Sequence, residues 1–136
     1  MPVESGGILV DASAFAALAN VDDQNHGLAR EIWKRIQYER LAPFTTSFIV
    51  AETHALLVAR AGRITARNWL GGQAVPEAWV TEADYARARD IIQRHRDKSY
   101  TLTDATSFGI MERLRVRLAF TFDTHFDQYG FHRLLP

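Results

Sequence analysis

The 136-residue sequence contains no cysteine, which excludes disulfides, thiolate zinc sites and thiol nucleophiles together. It also has no apolar run near the roughly 20 residues that a membrane-spanning helix needs. The N-terminal stretch from Met1 to Gly7 has no basic region ahead of an apolar segment, as a secretion signal would. These absences favour a soluble, cytoplasmic protein that does not enter a membrane.

An excess of charge of either sign is absent as well, because 16 basic residues balance 16 acidic ones. The field of the whole molecule therefore gives no reason to expect a polyanionic partner. Locally, the segment from Asp84 to Arg117 carries eight basic side chains against five acidic ones. This pattern favours a solvated helical surface, with a phosphate-facing flank as the alternative.

Short apolar runs alternate with longer segments of helical period, which is typical of an α/β fold with a parallel sheet covered by helices. With 47% hydrophobic residues, the chain has the composition of one globular core, so we predict a single domain over residues 1–136. Predicted strands lie at 8–10, 43–46, 78–80, 118–122 and 130–135. Predicted helices lie at 12–19, 26–38, 47–61, 63–70, 82–95 and, capped by Thr103 or Asp104, up to 114.

Three aspartates occupy junctions between predicted elements. Asp11 and Asp123 directly follow apolar runs of strand type, and Asp104 opens a helix. Because the carboxyl ends of parallel strands share one edge of a sheet, these residues can converge although they are far apart in sequence. The alternative for Asp11 and Asp104 is helix capping, and for Asp123 a turn.

Glu52 is the most informative acidic residue. In a helix over 47–61, the residues three and four positions away are all apolar: Phe48, Ile49, Ala55 and Leu56. An ionised carboxylate without a partner would be costly on such a face. Glu52 must therefore raise its pKa, find a distant basic partner or coordinate a cation.

Four carboxylates in one crevice would repel each other by roughly 4 kcal/mol per close pair at 4 Å and an effective dielectric near 20, so the site requires positive charge. With scattered histidines and no cysteine, the all-oxygen ligand set favours Mg²⁺, with Mn²⁺ as a substitute, over zinc. Two such ions about 4 Å apart can activate water for phosphodiester hydrolysis. The hydroxyls of Ser13 and Thr103 are candidates for orienting the neighbouring acids, with local capping as the alternative.

Each of the four acids lies in a stretch that carries a family resemblance. The stretches are Leu9–Phe15, Thr46–Thr53, Leu102–Phe108 and Phe120–Phe126, and the loop Asp22–His26 adds to them. In this order they resemble the PIN-domain family, and most closely its small VapC-like toxin ribonucleases of toxin–antitoxin pairs. The match spans essentially the whole chain.

The resemblance implies a three-layer α/β/α fold with a central, mostly parallel sheet. It further implies that Asp11, Glu52, Asp104 and Asp123 bind Mg²⁺ or Mn²⁺ and form the catalytic site of an endoribonuclease. An RNA substrate, a homodimer and an inhibitory protein antitoxin are the partners that such a protein would have.

Two other classes stay open. A nucleic-acid-binding module of the same fold would lack turnover, although all four acids are present. An aspartyl-phosphate receiver or phosphatase would also place aspartates at strand ends, but it needs a lysine near the phosphoryl group. The chain has only Lys34 and Lys98, and neither follows a strand end.

The remaining aromatic and acidic residues are given structural interpretations. Trp33, Trp69 and Trp79 are expected to be core or dimer anchors rather than base-stacking platforms. His125 is expected in a partly exposed loop rather than against substrate. Asp127 is expected to be structural or solvated, although it could help to hold a second metal ion.

Overall fold

A computed structural model describes residues 6–136. Within this range the chain forms five strands and seven helices. These are β1 (Gly7–Val10), α1 (Ala12–Ala19), α2 (His26–Tyr38), β2 (Ala42–Thr46), α3 (Ser47–Ala61), α4 (Arg63–Gly72), β3 (Glu77–Ala78), α5 (Glu82–Arg94), α6 (Leu102–Leu114), β4 (Leu118–Phe120), α7 (His125–Tyr129) and β5 (His132–Arg133). The prediction that no secretion signal precedes the fold rests largely on residues 1–5, which lie outside the described residues.

The strands form one sheet in the order β3-β2-β1-β4-β5. Every ladder between the described strands is parallel. The predicted three-layer α/β/α fold with a central parallel sheet is therefore confirmed. The chain builds the sheet outward from β1 to β3 and then returns to the other side of β1 at β4. The strand order thus reverses between β1 and β4.

The centre of the core is β1, which is buried along its whole length. Its run Ile8, Leu9, Val10 has no exposed surface, as expected for a central parallel strand covered on both faces. Helix α2 is amphipathic and buries only Ala29, Ile32 and Ile36. Helix α6, in contrast, is buried continuously over residues 104–111, so Asp104 in its first turn belongs to the buried part of the helix.

Several local features differ from the sequence-based prediction. The strands β3, β4 and β5 span two, three and two residues, whereas the predicted strands were 78–80, 118–122 and 130–135. The N-cap of α6 is Thr101, whose hydroxyl accepts a hydrogen bond from the backbone N–H of Asp104, while the Asp104 carboxylate accepts one from the N–H of Thr101. This reciprocal capping box starts the helix before Thr103. A short helix, α7, also follows Asp123, at residues for which the sequence predicts no helix.

Half of the eight basic side chains between Asp84 and Arg117 form ion pairs with acids of the same segment, namely Arg87, Arg94, Lys98 and Arg113. Arg113 pairs with Asp84, and Arg87 and Arg94 both pair with Asp90. These contacts agree with a solvated helical surface rather than a flank kept free for phosphates.

The tryptophans have different environments. Trp33 stacks on Phe120 with ring centroids 6.4 Å apart, and Trp69 meets Phe15 edge-on at 5.3 Å. Both pack against the core as predicted. Trp79 is 75% exposed, so a place in the core is wrong for it. None of the helices in residues 6–136 is both long and apolar enough to cross a membrane.

The C-terminus of α6 offers a test of local strain. Arg115 ends this helix with φ 57°, in the left-handed region, whereas α7 ends on Gly130 with φ 114°. A Cβ in this region costs about 1 kcal/mol. We expect Arg115→Gly to raise the free energy of unfolding in urea by about 0.5–1 kcal/mol. Arg115→Ala keeps the Cβ and should show no such gain, and an equal gain in both variants would contradict the explanation.

Candidate active site

The candidate site lies at the carboxyl edge of the sheet, where the strand order reverses. Asp11 directly follows β1, and Thr121 and Asp123 follow β4, which is the neighbour of β1. The backbone N–H of Asp11 donates to the carbonyl of Phe120 at 3.0 Å, so the two strands stay paired to their last residues. Open parallel sheets form their binding crevice at such a switch point.

The Asp11 carboxylate is held by two hydroxyls. Its Oδ2 accepts hydrogen bonds from Thr121 Oγ1 at 2.8 Å and from Ser13 Oγ at 3.2 Å. Thr121 Oγ1 in turn accepts from the backbone N–H of Asp123 at 3.0 Å, and Ser13 Oγ accepts from the N–H of Phe122. Asp11 occupies the N-cap position of α1, but its side chain accepts no capping hydrogen bond from the N–H groups two or three residues on, so the capping interpretation is wrong for this carboxylate.

Asp104 combines a structural role with a place in the crevice. Its Oδ2 accepts the capping hydrogen bond from the N–H of Thr101 at 3.0 Å, so the capping interpretation is correct as far as it goes. The same oxygen lies 2.9 Å from Nδ1 of His125. Capping and participation in a site are therefore not exclusive for this aspartate.

Glu52 lies beside the buried face of α3 rather than in its middle. That face consists of Ile49, Thr53 and Leu57, whereas Glu52 is half-buried. Burial raises the pKa of Glu52 most, and the negative charge of Asp104 raises it further, while the hydroxyl of Thr103 lowers it. The charges of Asp104 and Asp123 thus act on the Glu52 carboxylate.

Burial also raises the pKa of Asp11, from its usual 3.8 to about 6. The hydrogen bonds of Thr121 and of the Ala12 backbone oppose this rise, and the charges of Asp104 and Glu52 add to it. Since Asp123 likewise raises the pKa of Glu52, the four acids interact electrostatically as one group. Among residues 6–136, no lysine or arginine forms an ion pair with any of them.

His125 is a member of this group that sequence reasoning misplaced. It is the first residue of α7, not a loop residue, and its side chain is 21% exposed. Ligand atoms of His125, Asp104 and Asp123 all lie within 4.8 Å of one another. The sequence feature that could have indicated this helix is Gly130, because glycine is common directly after the last residue of a helix. Gly130 ends α7, which begins at His125.

Thr121 was missed for a different reason. It is a buried hydroxyl at the end of an apolar strand run, where a β-branched residue reads as an ordinary strand former. Only the pairing of β4 with β1 brings it to Asp11. Asp127, by contrast, forms an ion pair with Arg133 at 2.6 Å, which agrees with its structural interpretation.

The donor set suits a hard divalent cation. Asp104 Oδ1 and Asp123 Oδ2 accept no hydrogen bond from the described residues, while the other oxygen of each carboxylate does. Each aspartate thus keeps one oxygen for a ligand in the crevice. Oxygen donors in a site of unbalanced negative charge are those that Mg²⁺ and Mn²⁺ prefer. The roles of Asp11, Glu52, Asp104 and Asp123 as metal ligands, and of Ser13 and Thr103 in orienting them, stay predictions.

A doubly wound parallel sheet with acidic side chains at its switch point defines the class of protein, and comparison with known families identifies it. The PIN domain family matches residues 8–132, so the chain belongs to the PIN-domain family. The resemblance seen in the sequence is confirmed.

The relatives are toxin endonucleases. The chain is 30% identical to the 23S rRNA-specific endonuclease VapC20 of Mycobacterium tuberculosis, in strains CDC 1551 / Oshkosh and ATCC 25618 / H37Rv, over 95% of this chain and 98% of each relative. The crystal structure of VapC20 from the same organism, described as a sarcin-ricin loop cleaving toxin, superposes with a TM-score of 0.87 at 30% identity. It covers 95% of this chain and 99% of that structure.

The raised pKa of Asp11 predicts a pH-dependent effect on stability. In EDTA, the buried carboxylate of Asp11 is ionised in the folded protein at pH 8 and becomes protonated below about pH 6. Asp11→Asn should therefore be more stable than the parent at pH 8, by up to roughly 3 kcal/mol at 1.36 kcal/mol per pKa unit. The difference should shrink toward zero as the pH falls through 6 to about 4.

Asp84 provides the matched control. Burial opposes its ionisation, but hydrogen bonds from Thr81 and Arg113 outweigh this and lower its pKa. Asp84→Asn should therefore be less stable than the parent at pH 8, and this deficit should persist down to about pH 4 and shrink only below it. Urea denaturation of both variants across this pH range is the measurement. A destabilised Asp11→Asn at pH 8 would show that its carboxylate is stabilising.

Proposed function

We propose that the protein is a Mg²⁺-dependent endoribonuclease that hydrolyses RNA phosphodiester bonds, with Mn²⁺ able to replace Mg²⁺. The observation that supports this most is the convergence of four carboxylates at the switch point of the sheet, with no lysine or arginine paired to them in residues 6–136. Membership of the PIN-domain family and the endonuclease activity of the relatives agree with it.

In this proposal Asp11, Glu52, Asp104 and Asp123 hold the metal, and the remaining residues orient them. When bound, the metal ion would neutralise the crevice, receive the scissile phosphate and lower the pKa of a water molecule that attacks it. Thr121 and Ser13 hold Asp11 in place through hydrogen bonds to one oxygen. Thr103 reaches Glu52 and favours its ionised, metal-binding form.

The cellular role that we propose is that of the toxin in a toxin–antitoxin pair, acting on RNA in the cytoplasm and inhibited by a protein antitoxin. The names of the relatives support it, because VapC20 is a toxin that cleaves 23S rRNA. A single PIN domain over residues 1–136 is part of the proposal, since the family match spans 8–132.

The aspartyl-phosphate class has little support in the contacts. Lys34 pairs with Glu31 on the exposed side of α2, and Lys98 pairs with Asp97. Neither lysine forms an ion pair with the candidate site, where a phosphoryl group would need it. Only an assay of RNA cleavage distinguishes an enzyme from a non-catalytic module of the same fold.

Cleavage of single-stranded RNA tests the proposal. The purified protein should cut a labelled RNA in Mg²⁺ or Mn²⁺ and should not cut it in EDTA. Asp11→Asn and Asp104→Asn each remove one ligand charge while keeping a hydrogen-bond acceptor, so each should lower the rate by about 100-fold or more, equivalent to about 2.7 kcal/mol.

Asp127→Asn is the matched control, because Asp127 pairs with Arg133 outside the acidic group and its loss should leave cleavage within about twofold. Circular dichroism would show that the variants are folded. Cleavage that persists in EDTA, or that is undiminished in both site variants, would contradict the assignment. Metal binding without any cleavage would favour the non-catalytic module.

We further propose that the protein is a homodimer. The outer face of α3 carries Ala51, Ala55 and Val58 at helical spacing, and all three are exposed. Small apolar side chains in such a row allow a second helix to approach closely, and they gain by leaving water. Trp79, which the sequence predicts to be a core or dimer anchor, is exposed as well, and this agrees with the second of these roles.

Ala55→Glu would bury a charge in that contact and should convert the dimer to monomer in sedimentation velocity experiments at micromolar concentration. Val21→Glu is the matched control, because Val21 is 74% exposed in the loop after α1 and should leave the dimer intact. A parent protein that sediments as a monomer, or equal effects of the two substitutions, would contradict an interface on α3.

A further inference from the structure

The imidazole of His125 connects two acids of the candidate site. Nδ1 lies 2.9 Å from Oδ2 of Asp104 and 3.4 Å from Oδ1 of Asp123. The backbone N–H of His125 also donates to Oδ1 of Asp123 at 2.9 Å. The ring therefore contacts the aspartate of α6, while the main chain of the same residue holds the aspartate that follows β4.

The ring has a defined orientation because three neighbours fix it. A carboxylate can only accept, so the nitrogen facing Asp104 carries the hydrogen. In the neutral ring Nε2 is then an acceptor, and the hydroxyl of Ser99 lies 3.2 Å from it. The ring of Tyr100 meets the imidazole edge-on, with centroids 5.4 Å apart and an interplanar angle of 83°. Both ring nitrogens are thus engaged.

The contact decides which carboxylate oxygens remain for a ligand. Oδ2 of Asp104 accepts from His125 and from the N–H of Thr101, which uses both of its lone pairs. Oδ1 of Asp123 accepts from the backbone N–H of His125, not from its ring. The opposite oxygens, Asp104 Oδ1 and Asp123 Oδ2, receive no hydrogen bond from the part of the chain that the structure describes.

We propose that His125 is a positioning residue of the metal centre. Its Nδ1–H holds Oδ2 of Asp104 and so turns the unbonded Oδ1 toward the cation, and its backbone N–H does the same for Asp123. Ser99 holds the ring in the tautomer that makes the bond to Asp104. This inference rests on the proposed role of the two aspartates as metal ligands. Hydrogen bonds to the outer oxygen of a ligand reduce the reorganisation that binding requires, and their loss typically weakens metal binding by 10–100-fold.

Two substitutions separate the hydrogen bond from the packing of the ring. His125→Phe keeps an aromatic ring against Tyr100 and loses both nitrogens. His125→Asn loses the ring and places an amide N–H close to the position of Nδ1. The main-chain bond to Asp123 is kept in both variants.

The affinity for Mn²⁺ can be measured on the whole chain without RNA. Bound Mn²⁺ is quantified from the loss of the free-ion signal in electron paramagnetic resonance. We expect His125→Phe to weaken Mn²⁺ binding by about tenfold and His125→Asn to stay within about twofold of the parent. Ser99→Ala should weaken Mn²⁺ binding less than His125→Phe does. Because Ser99 acts through the imidazole, the variant that carries both Ser99→Ala and His125→Phe should bind Mn²⁺ no more weakly than His125→Phe alone.

Several results would overturn the proposal. One is a His125→Phe variant that binds Mn²⁺ as tightly as the parent. Another is a His125→Asn variant as weak as His125→Phe, which would assign the effect to ring packing. A ¹⁴N hyperfine coupling from a nitrogen bound directly to Mn²⁺ would make His125 a ligand instead.

Failure of the proposed function would look different. In that case the parent would not bind Mn²⁺, or Asp104→Asn would bind it as tightly as the parent, and the positioning role would fail with it. If the parent binds Mn²⁺ and Asp104→Asn does not, the metal centre stands, and the His125 variants alone decide the inference.

Discussion

The crowding of negative charge at one edge of the sheet is the constraint on which the rest of this site depends. Asp11, Glu52, Asp104 and Asp123 come from four different segments, two of them directly after the neighbouring strands β1 and β4, and their charges act on one another. Burial and mutual repulsion both raise the pKa of Asp11 and Glu52, and no lysine or arginine among the described residues is paired with the group. The core around β1 must stabilise the fold against this repulsion.

Several residues of the site stabilise the local structure and contact the acids through the same atoms. Thr121 links the backbone of Asp123 to the carboxylate of Asp11, so the ends of two strands are joined through one hydroxyl. Asp104 starts α6 through its capping box and contacts His125 with the same oxygen. Such double use explains why capping and a functional role could not be told apart residue by residue.

The sequence predicted most of the fold because its local signals agree with one another. The buried run Ile8–Val10 and the exits at Asp11 and Asp123 were recognisable, and the bounds of α1 and α2 agree with the structure. The start of α6 and the presence of α7 were mistaken. In both places hydrogen bonds of individual side chains, Thr101 with Asp104 and Asp123 with His125, decide the geometry where hydrophobic periodicity is weak.

By itself the sequence determined the class of fold and the family and singled out the four acids as candidates, because strand ends, helix period and motif order are all local properties of the chain. Only the tertiary structure decided that Thr121 reaches Asp11 across 110 positions and that His125 reaches Asp104 across 21. The sequence predicted that Glu52 lies in the middle of an apolar face of α3. The structure shows it half-buried beside that face. The physical reason is that hydrogen bonds and charge interactions depend on distance in space, which the pairing of β1 with β4 sets.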